Sequence, residues 1–162
     1  MANWIWKTKE DKDQGFSLVE LLIVVIIMGI LAAIAIPLFL SQRAKAEDKH
    51  AQSDVRILAT EISTFYADAP ASATLTVTLS TSTHKYTITD TTASPTVVYS
   101  TMPASKNVTN VKFSYTGTAG VGSGGNDSTW CIRVENPAGK EAAYSMSPGG
   151  GMNGGSSAEA CT

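Results

Sequence analysis

The sequence has few of the residues on which enzymes and metal proteins depend. Its 162 residues include two histidines, His50 and His84, and two cysteines, Cys131 and Cys161. His50 lies in a charged segment of helical pattern and His84 beside Lys85 in a turn pattern, which favours solvated surface over catalysis. No G-x-S-x-G nucleophile elbow occurs, and the cysteine spacing fits no zinc pattern. We therefore expect no enzymatic activity, metal or cofactor.

Charge is also scarce. Lys and Arg total 12 and Asp and Glu total 14, which gives a net charge of −2. Without a block of Lys or Arg, the chain as a whole is not steered toward nucleic acid. The candidates for a weak, local DNA-binding patch are four cations in the second half: Lys106, Lys112, Arg133 and Lys140. Such a patch would include an aromatic side chain, Tyr115 or Trp130.

Against this background, residues Phe16–Leu40 form one apolar run in which Glu20 is the only charge. About 25 residues at a rise of 1.5 Å make a helix of roughly 37 Å, enough to cross a hydrocarbon core of about 30 Å. Pro37 removes one backbone donor, so we expect a kink or local melting there. Glu20 requires an explanation, because an ionised carboxylate in lipid costs several kcal/mol.

Beyond the apolar run, the helical pattern continues over residues 41–69 and becomes amphipathic. Apolar residues recur at three- and four-residue steps and predict one buried stripe: Ala51, Val55, Leu58, Ile62 and Phe65. The two halves together predict one helix of about 50 residues, roughly 75 Å long.

The remaining residues, 70–162, alternate Thr, Val, Tyr and Ile in strand-length segments separated by turn residues. The predicted strands are Thr74–Ser80, Lys85–Asp90, Thr96–Ser100, Asn110–Gly117, Trp130–Asn136 and a shorter one at Ala142–Met146. Such segments favour an antiparallel sheet whose apolar face covers the helical stripe. We therefore predict an α+β fold. The glycine-rich stretches 117–127 and 147–157 are expected from their composition to be flexible loops. Neither has the GK[ST] ending of a phosphate-binding loop.

The segment "QGFSLVELLIVVIIMGILAAIAIP" resembles the N-terminus of type IV pilins and the related pseudopilins. The resemblance implies that a membrane aspartyl peptidase, the prepilin peptidase, cleaves between Gly15 and Phe16, and that the new amine of Phe16 is methylated. Residues 1–15 would then be a leader. Unlike the usual basic leader, this one balances three lysines against three acids. Its lysines still favour a cytoplasmic N-terminus: Lys7, Lys9 and Lys12.

The same resemblance supplies a role for Glu20. If subunits stack through their apolar helices, each Phe16 ammonium enters a fibre core of low dielectric constant, where Glu20 of a neighbouring subunit would neutralise it. Cys131 and Cys161 look like the two C-terminal cysteines that many pilins join, and such a loop of about 30 residues would contribute roughly 3–4 kcal/mol. The alternative is two unpaired buried thiols.

The sequence therefore predicts a structural subunit of a type IV pilus-like surface fibre. The implied partners are other copies of the chain, the prepilin peptidase, an inner-membrane assembly platform with a motor ATPase, and the membrane before assembly. The precursor would lie in the cytoplasmic membrane with its C-terminal region outside. The alternative is a type II secretion pseudopilin forming a short periplasmic piston, although the calcium-binding loop usual in major pseudopilins has no counterpart here.

Two other interpretations of the apolar run are weaker. An ordinary single-pass anchor explains neither Glu20 nor the preceding glycine. A conventional secretory signal could use "AIA" (Ala33–Ala35) as its cleavage site, but the apolar region exceeds the usual 7–15 residues.

Overall fold

The computed structural model describes residues 15–68, 73–115, 130–148, 151–155 and 161. The chain forms one helix and seven strands in the described part: α1 (Leu18–Asp68), β1 (Leu75–Ser80), β2 (Lys85–Asp90), β3 (Val97–Pro103), β4 (Asn110–Tyr115), β5 (Trp130–Glu135), β6 (Ala143–Met146) and β7 (Asn153–Gly154). Two compact units divide between Phe39 and Leu40. We call the unit that begins at Leu40 the head.

Within the head, α1 buries one stripe of side chains against the strands. The predicted stripe residues are all buried, at 0–6% exposure: Ala51, Val55, Leu58, Ile62 and Phe65. Residues at three- and four-residue steps lie on one side of a helix, so this spacing creates one continuous apolar face. The amphipathic character predicted for this part of the helix is confirmed.

Three strands, β1, β2 and β3, form one antiparallel sheet in that order. Alternation along β1 buries Leu75 and Val77 and exposes Thr76 and Thr78. In β2 the same alternation buries Tyr86 and Ile88. One face of this sheet therefore joins the core, and the opposite face presents threonines to solvent.

The other four strands form a second antiparallel sheet in the order β4-β5-β6-β7. Its central strand β5 buries Trp130, Ile132 and Val134 on one face. Both sheets contribute to a single cluster of buried residues that includes the helix stripe. The predicted α+β fold class is confirmed, with the strands divided between two sheets.

Strand β7 was not expected from the sequence. It lies in the glycine-rich stretch 147–157, which was predicted to be loop, and pairs with β6 through Tyr144↔Gly154 and Ser145↔Asn153. The expectation was wrong for these two residues because β6 offers unpaired backbone groups at the sheet edge. A side chain at Gly154 would contact the ring of Tyr144, so glycine permits this close pairing. The other stretch, 117–127, lies outside the described residues.

Candidate functional site

The N-terminal end of α1 begins two residues after the predicted cleavage junction. Gly15, Phe16 and Ser17 precede the helix, and the Ser17 carbonyl accepts hydrogen bonds from the amides of Glu20 (3.0 Å) and Leu21 (3.2 Å). Ser17 is therefore the N-cap residue, a position at which serine is preferred. An added Cβ at Gly15 would meet no atom of the described residues within 4 Å.

Glu20 occupies the third position of α1 and is exposed. Its carboxylate forms no hydrogen bond or ion pair with the residues that the structure describes. A carboxylate in the first helical turn interacts favourably with the partial positive charge of the helix N-terminus, typically by about 0.3–1 kcal/mol. The sequence reasoning missed this second role, which the spacing of Ser17 and Glu20 indicates, since S-x-x-E is a known helix-start pattern.

The apolar part of α1 exposes its side chains on every face. Each large apolar residue from Phe16 to Leu40 is at least 42% exposed, and Leu18 reaches 80%. By length and composition the helix is sufficient to cross a membrane. A helix that is hydrophobic on all sides requires an apolar environment, either lipid or other helices.

Pro37 lies inside α1 without interrupting it. The local melting expected at this residue is not observed. Proline removes the hydrogen bond that residue 37 would donate to the Ala33 carbonyl, and its ring crowds that carbonyl. The hydrogen bonds on both sides nevertheless maintain the helix, because helix propagation is cooperative. Gly29 also lies within the apolar segment, and an added Cβ there would meet no atom.

The two cysteines are joined in the structure. The Cys131–Cys161 disulfide has a Cα–Cα distance of 5.2 Å and closes a sequence separation of 30 residues. Cys131 lies in β5, opposite Ser114 of β4. Because side chains alternate along a strand, its sulfur is on the face opposite to that of Trp130 and Ile132. The bond therefore fixes Cys161 on the side of the sheet away from the core.

Three carboxylates on the inward side of α1 fix the loops of the head. Glu47 accepts hydrogen bonds from the amides of Asn107 (2.7 Å) and Asn136 (3.3 Å). Asp48 accepts one from the backbone N–H of Glu141 (3.1 Å). These contacts were not predicted, because in the sequence Glu47 and Asp48 belong to a charged stretch that suggested a solvated surface.

Asp54 is the third of these carboxylates and is almost fully buried. Its Oδ2 accepts hydrogen bonds from the Tyr86 hydroxyl and the Ser105 amide, both at 2.9 Å, and its Oδ1 accepts one from the Ser105 hydroxyl at 2.8 Å. The pKa of Tyr86 is raised, chiefly by burial and next by the nearby Asp54 carboxylate. This cluster connects α1 to β2 and to the loop after β3. Its only sequence signal is an acidic residue directly before a stripe residue, Val55.

The structure does not assemble a catalytic or nucleic-acid site from the other candidates. Both histidines are exposed, and no group of three potential metal ligands occurs among the described residues. Lys112 and Arg133 are cross-strand neighbours. The expectation that Tyr115 or Trp130 lies beside these cations was wrong, because strand alternation places both aromatic rings on the core face.

The comparisons with known proteins concern the N-terminal part of this arrangement. A family model described as "Prokaryotic N-terminal methylation motif" matches residues 11–36. The chain is 42% identical over 57 residues to the type IV major pilin protein PilA of Myxococcus xanthus, covering 35% of this chain and 26% of that protein. It is 58% identical over 36 residues to the fimbrial protein EcpB of Eikenella corrodens, covering 22% and 23%.

A second group of relatives belongs to secretion systems. The chain is 33% identical over 58 residues to the type II secretion system core protein G of Escherichia coli, covering 36% of this chain and 40% of that protein. The matches thus span between about a quarter and two fifths of these relatives. No solved structure matches the chain. The methylation motif, the exposed apolar helix that contains most of its residues and the relatives of both kinds agree with one another, and the N-terminal segment of the chain is similar to those of type IV pilins and type II secretion core proteins.

Proposed function

We propose that this protein is a structural subunit of a type IV pilus-like surface fibre, polymerised through residues 16–40 of α1. The observation that carries the proposal is the exposure of every large apolar side chain in this segment, in a region that matches the methylation motif. Before assembly the lipid bilayer covers these side chains, and in the fibre the helices of other subunits cover them. The proposed partners are therefore the membrane, other copies of this chain and the prepilin peptidase.

The head fits this role because it folds around its own core. Its buried cluster combines residues 51–65 of α1 with both sheets. Exposed threonines on β1 and the disulfide at β5 suit a subunit that works outside the cytoplasm. The orientation with the C-terminal region outside, the assembly platform and its motor ATPase belong to the proposal as properties of fibre systems of this kind.

The first test is the intact and N-terminal peptide mass of protein sheared from cells. Cleavage between Gly15 and Phe16 with one added methyl supports the proposal. A chain that begins at Ile36 would indicate an ordinary secretory signal, and one that retains Met1 or Ala2 a simple anchor. Either of these two results would overturn the proposal.

Glu20 provides the second test, because its two possible roles predict different fibre yields for the Glu20→Gln variant. If its charge neutralises the Phe16 ammonium of a neighbour, Glu20→Gln and Glu20→Ala both reduce the yield of sheared fibre at least tenfold, with cleavage unchanged. If it acts only at the helix start, Glu20→Gln assembles normally, since the change costs only a few tenths of a kcal/mol. Glu61→Gln, at a half-buried position in the outer part of α1, is the matched control and should assemble normally.

A secretion pseudopilin is the second candidate, supported by the relatives named core protein G. A pseudopilin at native expression forms no long surface fibre, and its deletion abolishes secretion of folded proteins. Electron microscopy of cells, combined with a secretion assay of the deletion strain, separates the two candidates.

A further inference from the structure

Each Asp, Glu, Lys or Arg side chain that α1 exposes between residues 41 and 60 is basic. Between residues 41 and 60 the sequence has four Lys and Arg residues and three acidic ones, so this segment looks nearly neutral. In the structure all four cations are exposed, whereas Asp48 and Asp54 are buried and Glu47 is half-buried. The four cations are Arg43, Lys45, Lys49 and Arg56.

The acidic side chains do not neutralise these cations. Asp48 and Asp54 accept their hydrogen bonds from uncharged donors in the loops and strands of the head, and so does Glu47. Glu47 follows Arg43, and Asp48 follows Lys45, by about one helical turn, but no ion pair joins these carboxylates to the cations among the described residues. Lys49 donates to the Gln52 side chain, at 3.1 Å, and stays exposed. The exposed surface of this part of α1 therefore presents positive charge.

We propose that Arg43, Lys45 and Lys49, here called the basic cluster, bind the headgroups of anionic phospholipids in the leaflet where α1 leaves the bilayer. Lys45 and Lys49 lie on one side of α1 and Arg43 on the other, and the headgroup layer surrounds the helix on both sides. This inference rests on the proposed function, since it requires residues 16–40 to be inserted in a membrane. The three residues follow Leu40 by about 5–14 Å along the helix axis. The headgroup layer is about 5–7 Å thick, and its surface potential extends one Debye length further. Arg56, about 24 Å from Leu40, lies beyond this range.

Charge complementarity favours lipid over the other anionic partners. A second copy offers no concentrated acidic surface to match the basic cluster, because the exposed and half-exposed acidic residues in the strands and loops of the described head are on separate elements: Asp90, Glu135 and Glu141. For single-stranded nucleic acid, an aromatic stacking platform is expected beside the cations, and residues 41–60 contain no aromatic side chain. Basic residues that directly follow a membrane span attract anionic lipids. The bilayer surface is therefore the partner that the basic cluster fits.

The experiment uses the full chain reconstituted in phosphatidylcholine vesicles with a minor fraction of phosphatidylglycerol. Electron paramagnetic resonance of spin-labelled phosphatidylglycerol and phosphatidylcholine measures the preference of protein-associated lipid for the anionic species. The test variant is R43Q/K45Q/K49Q. The matched control is K106Q/K112Q/K140Q, which removes the same charge from three exposed positions in the strands and loops of the head. A second control, Arg56→Gln, removes a cation from the same helix beyond the reach of the headgroups.

The expected result is a preference for phosphatidylglycerol that falls about threefold in the test variant and stays unchanged in both controls. Raising the salt concentration to about 0.5 M should weaken the preference of the unsubstituted protein but change the test variant little. An equal preference in the test variant and the unsubstituted protein overturns the inference, and so does an equal fall in the K106Q/K112Q/K140Q control. Tight binding of single-stranded DNA that depends on the basic cluster would assign the cluster to nucleic acid instead.

Failure of this inference is distinguishable from failure of the proposed function. If the chain restricts neither spin label, residues 16–40 are not in the bilayer, and the membrane-held precursor is overturned together with the inference. If both labels are restricted equally, the anchor stands and only the inference is overturned. Fibre yield, measured separately by shearing, reports on assembly without regard to lipid preference.

Discussion

At the scale of single residues, Asp54 connects α1 to β2 and to the loop after β3 within the head. It is buried at 6% exposure and accepts three hydrogen bonds from Tyr86 and Ser105. Removing a buried acceptor leaves its donors unsatisfied, and this costs more than the net contribution of the bonds themselves. The stability of the head should therefore respond to the shape of residue 54 as well as to its charge.

Asp54→Ala should lower the free energy of unfolding by about 3 kcal/mol, because it leaves two hydroxyls and one backbone N–H without their acceptor. Asp54→Asn should cost clearly less. Its side-chain oxygen can accept from the Tyr86 hydroxyl and the Ser105 amide, while its NH₂ group donates to the Ser105 hydroxyl. Denaturant unfolding of the detergent-solubilised protein measures both changes.

The control for this pair is Asp68→Ala, at the exposed end of α1, which should change stability by less than about 0.5 kcal/mol. Equal losses for Asp54→Ala and Asp54→Asn would mean that the charge itself, rather than the acceptor geometry, stabilises the cluster.

At the scale of elements, the loop between β5 and β6 is held against α1 by close packing. An added Cβ at Gly139 would overlap the Asp48 carboxylate and lie 3.4 Å from the Asn136 carbonyl oxygen. Gly139→Ala should therefore cost about 1–3 kcal/mol, since the loop must move away from the helix. Gly151→Ala is the matched control, because an added Cβ there meets no atom, and it should leave stability unchanged within about 0.5 kcal/mol. Thermal unfolding that does not distinguish the two variants would contradict this packing.

The disulfide is the other constraint on an element. Replacing Cys131 and Cys161 together by serine opens a loop of 30 residues and should lower the free energy of unfolding by about 3–4 kcal/mol through loop-closure entropy. The double variant avoids leaving one reactive thiol. The unsubstituted protein with a reducing agent should show a similar loss, and a loss below about 1 kcal/mol in both would contradict the estimate.

The elements themselves were largely predictable from the sequence, because their periodicities are local. Spacing of three and four residues placed Ala51 to Phe65 on one side of α1, and two-residue alternation placed β2 at its observed bounds. What could not be predicted depends on contacts distant in the chain. Glu47 meets residues about 60 and 89 positions away, and β7 forms only because β6 has a free edge. At the N-terminus, a local pattern identified the segment through residues 15–20, but the helix-capping position of Ser17 was missed.

At the scale of the whole molecule, the charge that the surface exposes differs from the charge that the composition suggests. The nearly neutral sequence between residues 41 and 60 folds with its carboxylates inward and its cations outward. The same folding places tyrosines in the core, where they also respond to pH. The pKa of Tyr66 is raised to about 12, chiefly by burial and next by the neighbouring Tyr115. The pKa of Tyr86 is raised as well.

These raised values predict loss of stability in alkaline solution. A tyrosine whose folded-state pKa exceeds its unfolded value of about 10 makes its full contribution to the free energy of unfolding when the pH is below about 10. Above pH 10 the unfolded chain releases the proton more readily, so the contribution falls as the pH rises through the folded-state pKa. The free energy of unfolding should therefore decrease between pH 10 and pH 12.

Tyr86→Phe should be less stable than the unsubstituted protein at pH 8, because a hydrogen bond to Asp54 is lost, yet show a smaller decrease over that range. Tyr99→Phe, at an exposed ring, should follow the unsubstituted protein throughout. Both cysteines are paired, so thiol exchange does not complicate these measurements. Parallel curves for all three proteins would show that buried tyrosines do not cause the alkaline loss.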